Sequence, residues 1–107
     1  MDANSSVKLP DFTKGYMGLL PAIIQDVGTN QVLMLGYMNE DSFLRTLITK
    51  KVTFWSRSRN EIWVKGETSG NYFDVHEYRV DCDADTILFL VHPHGPACHR
   101  GTITCFD

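Results

Sequence analysis

All three cysteines of this 107-residue chain fall in its last quarter, and they fall there in the company of other ligand-bearing side chains. The stretch reads Asp81-Cys82-Asp83-Ala84-Asp85-Thr86, then the apolar run Ile87-Leu88-Phe89-Leu90-Val91, then His92-Pro93-His94-Gly95-Pro96-Ala97-Cys98-His99-Arg100 and finally Cys105. A short apolar run bounded by polar segments reads as a buried strand. The chain must therefore fold so that a core strand carries the acidic cluster before it and the His/Cys cluster after it. Thiolates, imidazoles and alternating carboxylates together are metal-site chemistry.

The remaining composition narrows the classes. A length of 107 residues with 43% hydrophobic content describes one globular domain, large enough for a core but with little surplus. The formal net charge of -3 gives no general attraction to nucleic acid or to an anionic membrane, so a phosphate-bearing ligand has to be held locally. No apolar segment reaches the length of a membrane span, and Met1 to Pro10 lacks the apolar core of a secretory signal. These features lead us to expect a cytoplasmic protein with neither a nucleic-acid nor a membrane partner. An odd number of cysteines without an export signal suits reduced, metal-binding thiolates better than a disulfide framework.

From the start of the chain, residues 1–10 are expected to be loosely ordered, being polar and rich in small side chains over most of their length. Leu19 to Ile24 and Gln31 to Tyr37 are apolar runs separated by the turn-forming Gly28-Thr29-Asn30, which predicts a hairpin. Asn39 can cap a helix with Glu40 and Asp41 in its first turn and Phe43, Leu44, Leu47 and Ile48 at helical spacing. Such a stripe is normally core scaffold. Val52 to Ser58 and Ile62 to Lys65 predict a second hairpin turning at Arg59-Asn60-Glu61, and Tyr72 to Val80 a further strand. Alternation along the first of these places Trp55, Arg57 and Arg59 opposite Phe54, Ser56 and Ser58. The segment Gly66-Glu67-Thr68-Ser69-Gly70-Asn71 offers close backbone approach and hydroxyl and amide donors, which suit a phosphate assisted by Arg57, Arg59 or Lys65. An ordinary turn has the same composition.

The two ends of the ligand-rich stretch point to different ions. If Asp81 to Asp85 is extended, its period of two puts Asp81, Asp83 and Asp85 on one face and Cys82 on the other. Three carboxylates side by side call for a hard divalent cation such as Mg2+, while a solvated acidic edge is the plain alternative. A helix-loop-helix calcium loop fits badly, because Thr86 would stand at its glycine position and His92 at its bidentate glutamate. Cys82, Cys98 and Cys105 suit Zn2+, and three thiolates leave the fourth tetrahedral position open for a water acidified towards neutrality. His99, His92 or His94 could shuttle protons or complete the shell, in which case the site would be structural. His76 has no assignable role. The nucleobase-deaminase signature is absent, since Pro96-Ala97-Cys98-His99 carries a single cysteine.

Several strings taken in order, namely Leu33 to Asn39, Trp55 to Arg59, Trp63 to Asn71, Asp81 to Asp85 and Gly95 to His99, resemble those of phosphoribosyl-AMP cyclohydrolase. They span most of the chain, and matching them in sequence is far more specific than matching any one. The resemblance implies hydrolytic opening of the adenine ring of phosphoribosyl-AMP between nitrogen 1 and carbon 6 in histidine biosynthesis, to give the phosphoribosylformimino-aminoimidazole carboxamide ribotide. It implies zinc on Cys82, Cys98 and Cys105, magnesium on Asp81, Asp83 and Asp85, and proton transfer by His99. It also implies a single α+β, mostly β domain over residues 1–107, with compact barrel-like strands and one amphipathic helix packed against them. Two such chains are expected to intertwine as a homodimer with shared active sites, Cys82 of one meeting Cys98 and Cys105 of the other. Candidate substrate contacts are Trp55, Arg57, Ser58, Arg59, Trp63, Lys65, Gly66, Glu67, Thr68, Ser69 and Asn71. Chains of this type also occur fused to a pyrophosphohydrolase domain. The competing readings are a zinc-stabilised interaction module without catalysis and a zinc hydrolase of another purine nucleotide.

Overall fold

The computed structural model describes residues 8–107. Residues 1–7 of the segment expected to be loosely ordered lie outside the described residues. Lys8 is placed, and its Nζ donates to the carbonyls of Asp81 at 2.6 Å and Cys82 at 2.7 Å.

Short 3-10 turns at Phe12–Lys14 and Tyr16–Gly18 lead into the first hairpin, β1 (Leu20–Asp26) and β2 (Val32–Met38). The strands turn where expected: Asn30 takes the left-handed conformation, φ 66°, and Asp26 Oδ1 accepts from the Gly28 N–H at 2.8 Å. Helix α1 (Glu40–Thr49) begins at the predicted cap. Asn39 Oδ1 accepts from Ser42 N at 2.8 Å while Ser42 Oγ accepts from Asn39 N at 3.0 Å, a reciprocal capping box. The helix stops at Lys50, whose left-handed backbone sends its N–H to the Thr46 carbonyl. Strands β3 (Thr53–Ser56) and β4 (Glu61–Val64) form the second hairpin, followed by β5 (Phe73–Val80) and β6 (Ile87–Pro93).

Four strands form one mixed sheet in the order β2-β1-β6-β5, with β1 and β6 parallel and the outer pairs antiparallel; β3 and β4 make a separate two-stranded sheet. The α+β, mostly β expectation holds, but the strands do not close into a barrel. The edges stay open because β2 and β5 lie at opposite ends of the sheet and, among the described residues, β3 pairs with β4 alone. Period-two burial on the central strands makes the core: Leu20, Ala22 and Ile24 from β1 face the same side as Ile87, Phe89 and Val91 from β6, all at most 1% exposed. Phe43 of α1, Phe54 and Phe73 complete it.

The helix stripe is narrower than its sequence suggested. Phe43 and Thr46 are buried, whereas Leu44 is 49% and Ile48 80% exposed. Successive helical residues turn about 100°, so a helix resting on one layer cannot bury both members of the Phe43-Leu44 and Leu47-Ile48 pairs. A buried polar contact completes the seat: Thr46 Oγ1 donates to Ser42 O at 2.8 Å and accepts from Thr53 N at 2.9 Å, tying α1 to β3.

Gly36 sits where the two sheets meet, and a Cβ there would lie 2.5 Å from the Phe54 ring. Overpacking of this kind costs about 1–3 kcal/mol. Urea denaturation of Gly36→Ala should register that loss, while Gly28→Ala, in the exposed hairpin turn, should stay within about 0.5 kcal/mol of wild type.

Candidate active site

The thiolate end of the ligand-rich stretch is built by a tight chain reversal after β6. Ala97 N donates to Ile103 O at 3.0 Å, Cys98 N to Thr102 O at 3.2 Å and Gly101 N to Cys98 O at 2.9 Å, with Gly101 at φ 91°. The returning segment then docks on β2, where Cys105 N donates to Leu33 O at 2.8 Å and Thr104 Oγ1 to Val32 O at 2.8 Å. This reversal sets Cys105 beside Cys98. The Cys98 side is buried, and Arg100 Nε donates to its Sγ at 3.2 Å. That guanidinium hydrogen bond, supported by the Arg100 backbone N–H, lowers the Cys98 thiol to about 6. Burial pushes the Cys105 thiol up, and the charge of Cys98 adds to the shift.

Beside these sulfurs lies a cavity of about 370 Å³. Trp63, Lys65 and Gly66 line it from the end of β4, Thr68, Ser69 and Asn71 from the following turn, and Pro96, Cys98, His99 and Gly101 from the reversal. The turn approaches closely because glycine permits it. Gly66 has φ +94° and a Cβ there would sit 2.5 Å from Asn71 C, while one on Gly95 would sit 2.2 Å from Asn71 Oδ1. Lys65 is 9% exposed and its Nζ donates to Ala97 O at 2.6 Å. Burial lowers its pKa, and the neighbouring Cys105 and Cys98 work against that shift.

Other expected contacts lie elsewhere. Strand β3 ends at Ser56, and residues 57–60 form the turn, with Asn60 left-handed at φ 56°. Trp55 and Arg57 line a second cavity of about 260 Å³ with Tyr16, Met17, Leu19, Asn39 and Asn60, and the Arg57 guanidinium lies 4.0 Å from the Tyr37 ring centroid. Ser58 Oγ is 3.5 Å from Ser56 Oγ, and Arg59 lies 3.7 Å from Glu61. Glu67 closes the turn after β4 through its N–H to Val64 O at 3.1 Å. None of Trp55, Arg57, Ser58, Arg59 and Glu67 lines the thiolate cavity.

At the other end of β6 the acidic segment is a turn and not an extended strand. Ala84 N donates to Asp81 O at 3.1 Å, Asp81 N to Thr86 O at 3.1 Å, and Ala84 is left-handed at φ 64°. The aspartates converge all the same, with one carboxylate oxygen of each of Asp81, Asp83 and Asp85 within 4.8 Å of the others. Strand alternation is thus the wrong reason for the right grouping. Asp81 Oδ1 accepts from Asp85 N at 3.0 Å and Thr86 N at 3.1 Å. Burial works to raise Asp81, but bonds from Asp85, Asp83 and Thr86 outweigh it and hold the carboxyl low; Asp85 is raised, first by its contact with Asp81 and then by Asp83. Such mutual repulsion fits an oxygen-rich cradle for a hard cation.

The soft donor set fits zinc only in part within one chain. Cys98 and Cys105 adjoin, but Cys82 is exposed beside the acidic turn, and among the described residues no three-donor group includes a cysteine. Of the candidate histidines, only His99 lines the thiolate cavity. His94 Nε2 is 2.6 Å from Asp74 Oδ2, with Lys51 Nζ 2.7 Å from Asp74 Oδ1, and these bonds, Lys51 first, lower the Asp74 carboxyl. His92 stacks edge-on to His76 at 5.3 Å between centroids. Sequence reading gave no role to Arg100, although its position two residues after Cys98 was a signal for thiolate stabilisation.

The phosphoribosyl-AMP cyclohydrolase family matches residues 34–107. The chain is 58% identical over 90 residues to the histidine biosynthesis bifunctional protein HisIE of Photobacterium profundum, covering 84% of this chain and 44% of that protein. It is 55% identical over 97 residues to the phosphoribosyl-AMP cyclohydrolase of Lactiplantibacillus plantarum, covering 91% of this chain and 89% of that one. With the cyclohydrolase of Mycobacterium sp. strain MCS it shares 56% identity over 90 residues, 84% of this chain and 78% of the other. The chain spans less than half the length of the bifunctional relatives. Identity at this level over most of the chain, together with the matched motifs at both ends of β6, places it in the phosphoribosyl-AMP cyclohydrolase family.

Proposed function

We propose that this domain opens the adenine ring of phosphoribosyl-AMP by hydrolysis at the nitrogen 1 to carbon 6 bond. The observation that carries the reading is the cavity in which Cys98 and His99 face the Trp63 to Asn71 segment, so that ligand, proton carrier and substrate-holding groups share one space. In the reaction the oxygen of water ends on carbon 6 as the carboxamide oxygen, and nitrogen 1 leaves carrying a proton. His99 takes a proton from the attacking water and delivers one to nitrogen 1. Trp63 stacks against the base, while Thr68, Ser69 and Asn71 donate to the phosphoribosyl oxygens. Zinc on the cysteines would supply a water acidified towards neutral pH. Asp81, Asp83 and Asp85 would hold magnesium where it can meet a substrate oxygen.

The site is proposed to be shared between two copies of the chain. Seven residues of β6 at about 3.3 Å each separate the acidic turn from the thiolate loop by roughly 20 Å, which keeps Cys82 apart from Cys98 of its own chain. The outer face of the sheet supports a second copy. Leu35, Ile23 and Leu88 are register neighbours across β2, β1 and β6, and Leu35 is 44% exposed. A sheet with apolar residues on its second face calls for a cover.

Absorbance change on incubating the domain with phosphoribosyl-AMP, zinc and magnesium tests the reading, with AMP and adenosine as controls. Turnover should be confined to phosphoribosyl-AMP and stop with chelator. Clean, metal-loaded protein that turns over nothing would favour the interaction module, and turnover of AMP would favour another purine nucleotide. Cys98→Ala should lose zinc and activity together. His99→Ala should keep its zinc and lose about 10²–10⁴-fold in kcat; wild-type turnover in that variant would exclude the shuttle. In metal-free protein, alkylation of Cys98 followed by mass spectrometry should have its midpoint at about 6, because the thiolate is present above that pH and lost below it. Arg100→Gln should move the midpoint up towards the free-cysteine value of about 8.5.

A further inference from the structure

Lys65 is the buried lysine among the residues that line this cavity, and its ammonium is already engaged by the protein. The residue follows β4, where its backbone N–H donates to Val52 O at 3.0 Å and so fixes its origin on the second sheet. From there the side chain crosses to the chain reversal after β6 and its Nζ donates to Ala97 O at 2.6 Å. It is the one lysine buried to this degree among the described residues, at 9% exposure. The Trp63 ring centroid lies 5.8 Å from the ammonium and the Phe73 centroid 5.5 Å, so aromatic faces replace part of its lost hydration.

Burying an ammonium is costly unless something nearby makes use of its charge. The group that does so here is the carbonyl of Ala97, one residue before Cys98. The reversal is anchored at its two ends, by His94 N donating to Tyr72 O at 3.0 Å before it and by Cys105 N donating to Leu33 O at 2.8 Å after it, and Ala97 is buried against the core. Between those ends its backbone hydrogen bonds, Ala97 to Ile103 and Cys98 to Thr102, are internal to the loop, and the Lys65 ammonium supplies the side-chain bond that reaches it from the second sheet.

We infer that Lys65 is a positioning residue, which pins the Ala97 carbonyl so that Cys98 and His99 face the cavity, and that it is not a ligand for the substrate phosphates. The assignment rests on the proposed function for its kinetic consequence but not for its structural one. Lysine carries three donors and Ala97 uses one, so the geometry alone leaves room for a phosphate and the two roles are separated by measurement.

Lys65→Met keeps an unbranched stem of the same length and removes the ammonium. In metal-free protein, hydrogen exchange at the Ala97 and Cys98 amides should speed up at least ten-fold in this variant while the β1 and β6 amides keep their protection; unchanged loop exchange would overturn the inference. Zinc affinity by chelator competition should fall at least ten-fold. With zinc saturating, kcat should drop while KM for phosphoribosyl-AMP stays within two-fold. A KM raised ten-fold or more with loop exchange and zinc affinity intact would make Lys65 a phosphate ligand and overturn the inference. Lys65→Arg should restore loop protection in part, and a global loss of protection in Lys65→Met transfers the same measurements to Lys65→Gln. Absence of turnover in wild type would remove the function reading and leave the exchange and zinc results to decide the role of Lys65.

Discussion

Strand β6 is paired with β1 in parallel over Ile87 to Val91 and with β5 antiparallel along its length, and this double pairing fixes the distance between the two ligand clusters. A strand with neighbours on both sides cannot bend back on itself, so the acidic turn that enters it and the thiolate loop that leaves it stay at opposite ends of the sheet. Its inward residues Ile87, Phe89 and Val91 are fully buried, and at ~25 cal/mol per Å² of apolar area such side chains contribute on the order of 1.5–3 kcal/mol each. The ligand-bearing segments need contribute little to that core and are free to be polar. The chemistry hangs from a strand that is itself inert.

Around that strand, local devices aim the side chains. The Cys98 to Gly101 reversal and the docking of Thr104 on β2 bring Cys105 next to Cys98, and Arg100 holds Cys98 towards its thiolate. Gly66 and Gly95 let the Asn71 turn press against the start of the thiolate loop. A Cβ on Gly66 or Gly95 would collide with Asn71, and loss of the Arg100 charge would release Cys98.

Much of this was legible in the sequence. Apolar runs with period two gave the strands, Asn39 gave the helix start, and the order of motifs gave the family. Three features were not. The alternating aspartates of Asp81 to Asp85 would share one face if the segment were extended, yet the hydrogen bonds of Asp81 with Ala84 and Thr86 close a turn that no periodicity could announce. Leu44 and Ile48 carry the composition of core residues but point away from the one layer the helix rests on. Trp55 and Arg57 fall on a second cavity, since strand β3 ends at Ser56, two residues short of the expected Ser58, and turns at Asn60. In each case a local pattern was outweighed by tertiary packing or by a turn geometry that depends on residues further along.

The central proposal is that the catalytic centre takes Cys82 from one chain and Cys98 with Cys105 from another. Mixing two inactive variants tests it directly. Cys82→Ser and Cys98→Ser are each denatured, combined in equal amounts, refolded with zinc and magnesium, and assayed for opening of phosphoribosyl-AMP. Random pairing in a two-fold dimer makes half of the dimers mixed, each with one intact site, so activity should return to about a quarter of wild type. A mixture as inactive as its parents, from chains that do exchange, would mean that each zinc centre is drawn from a single chain and would contradict the account.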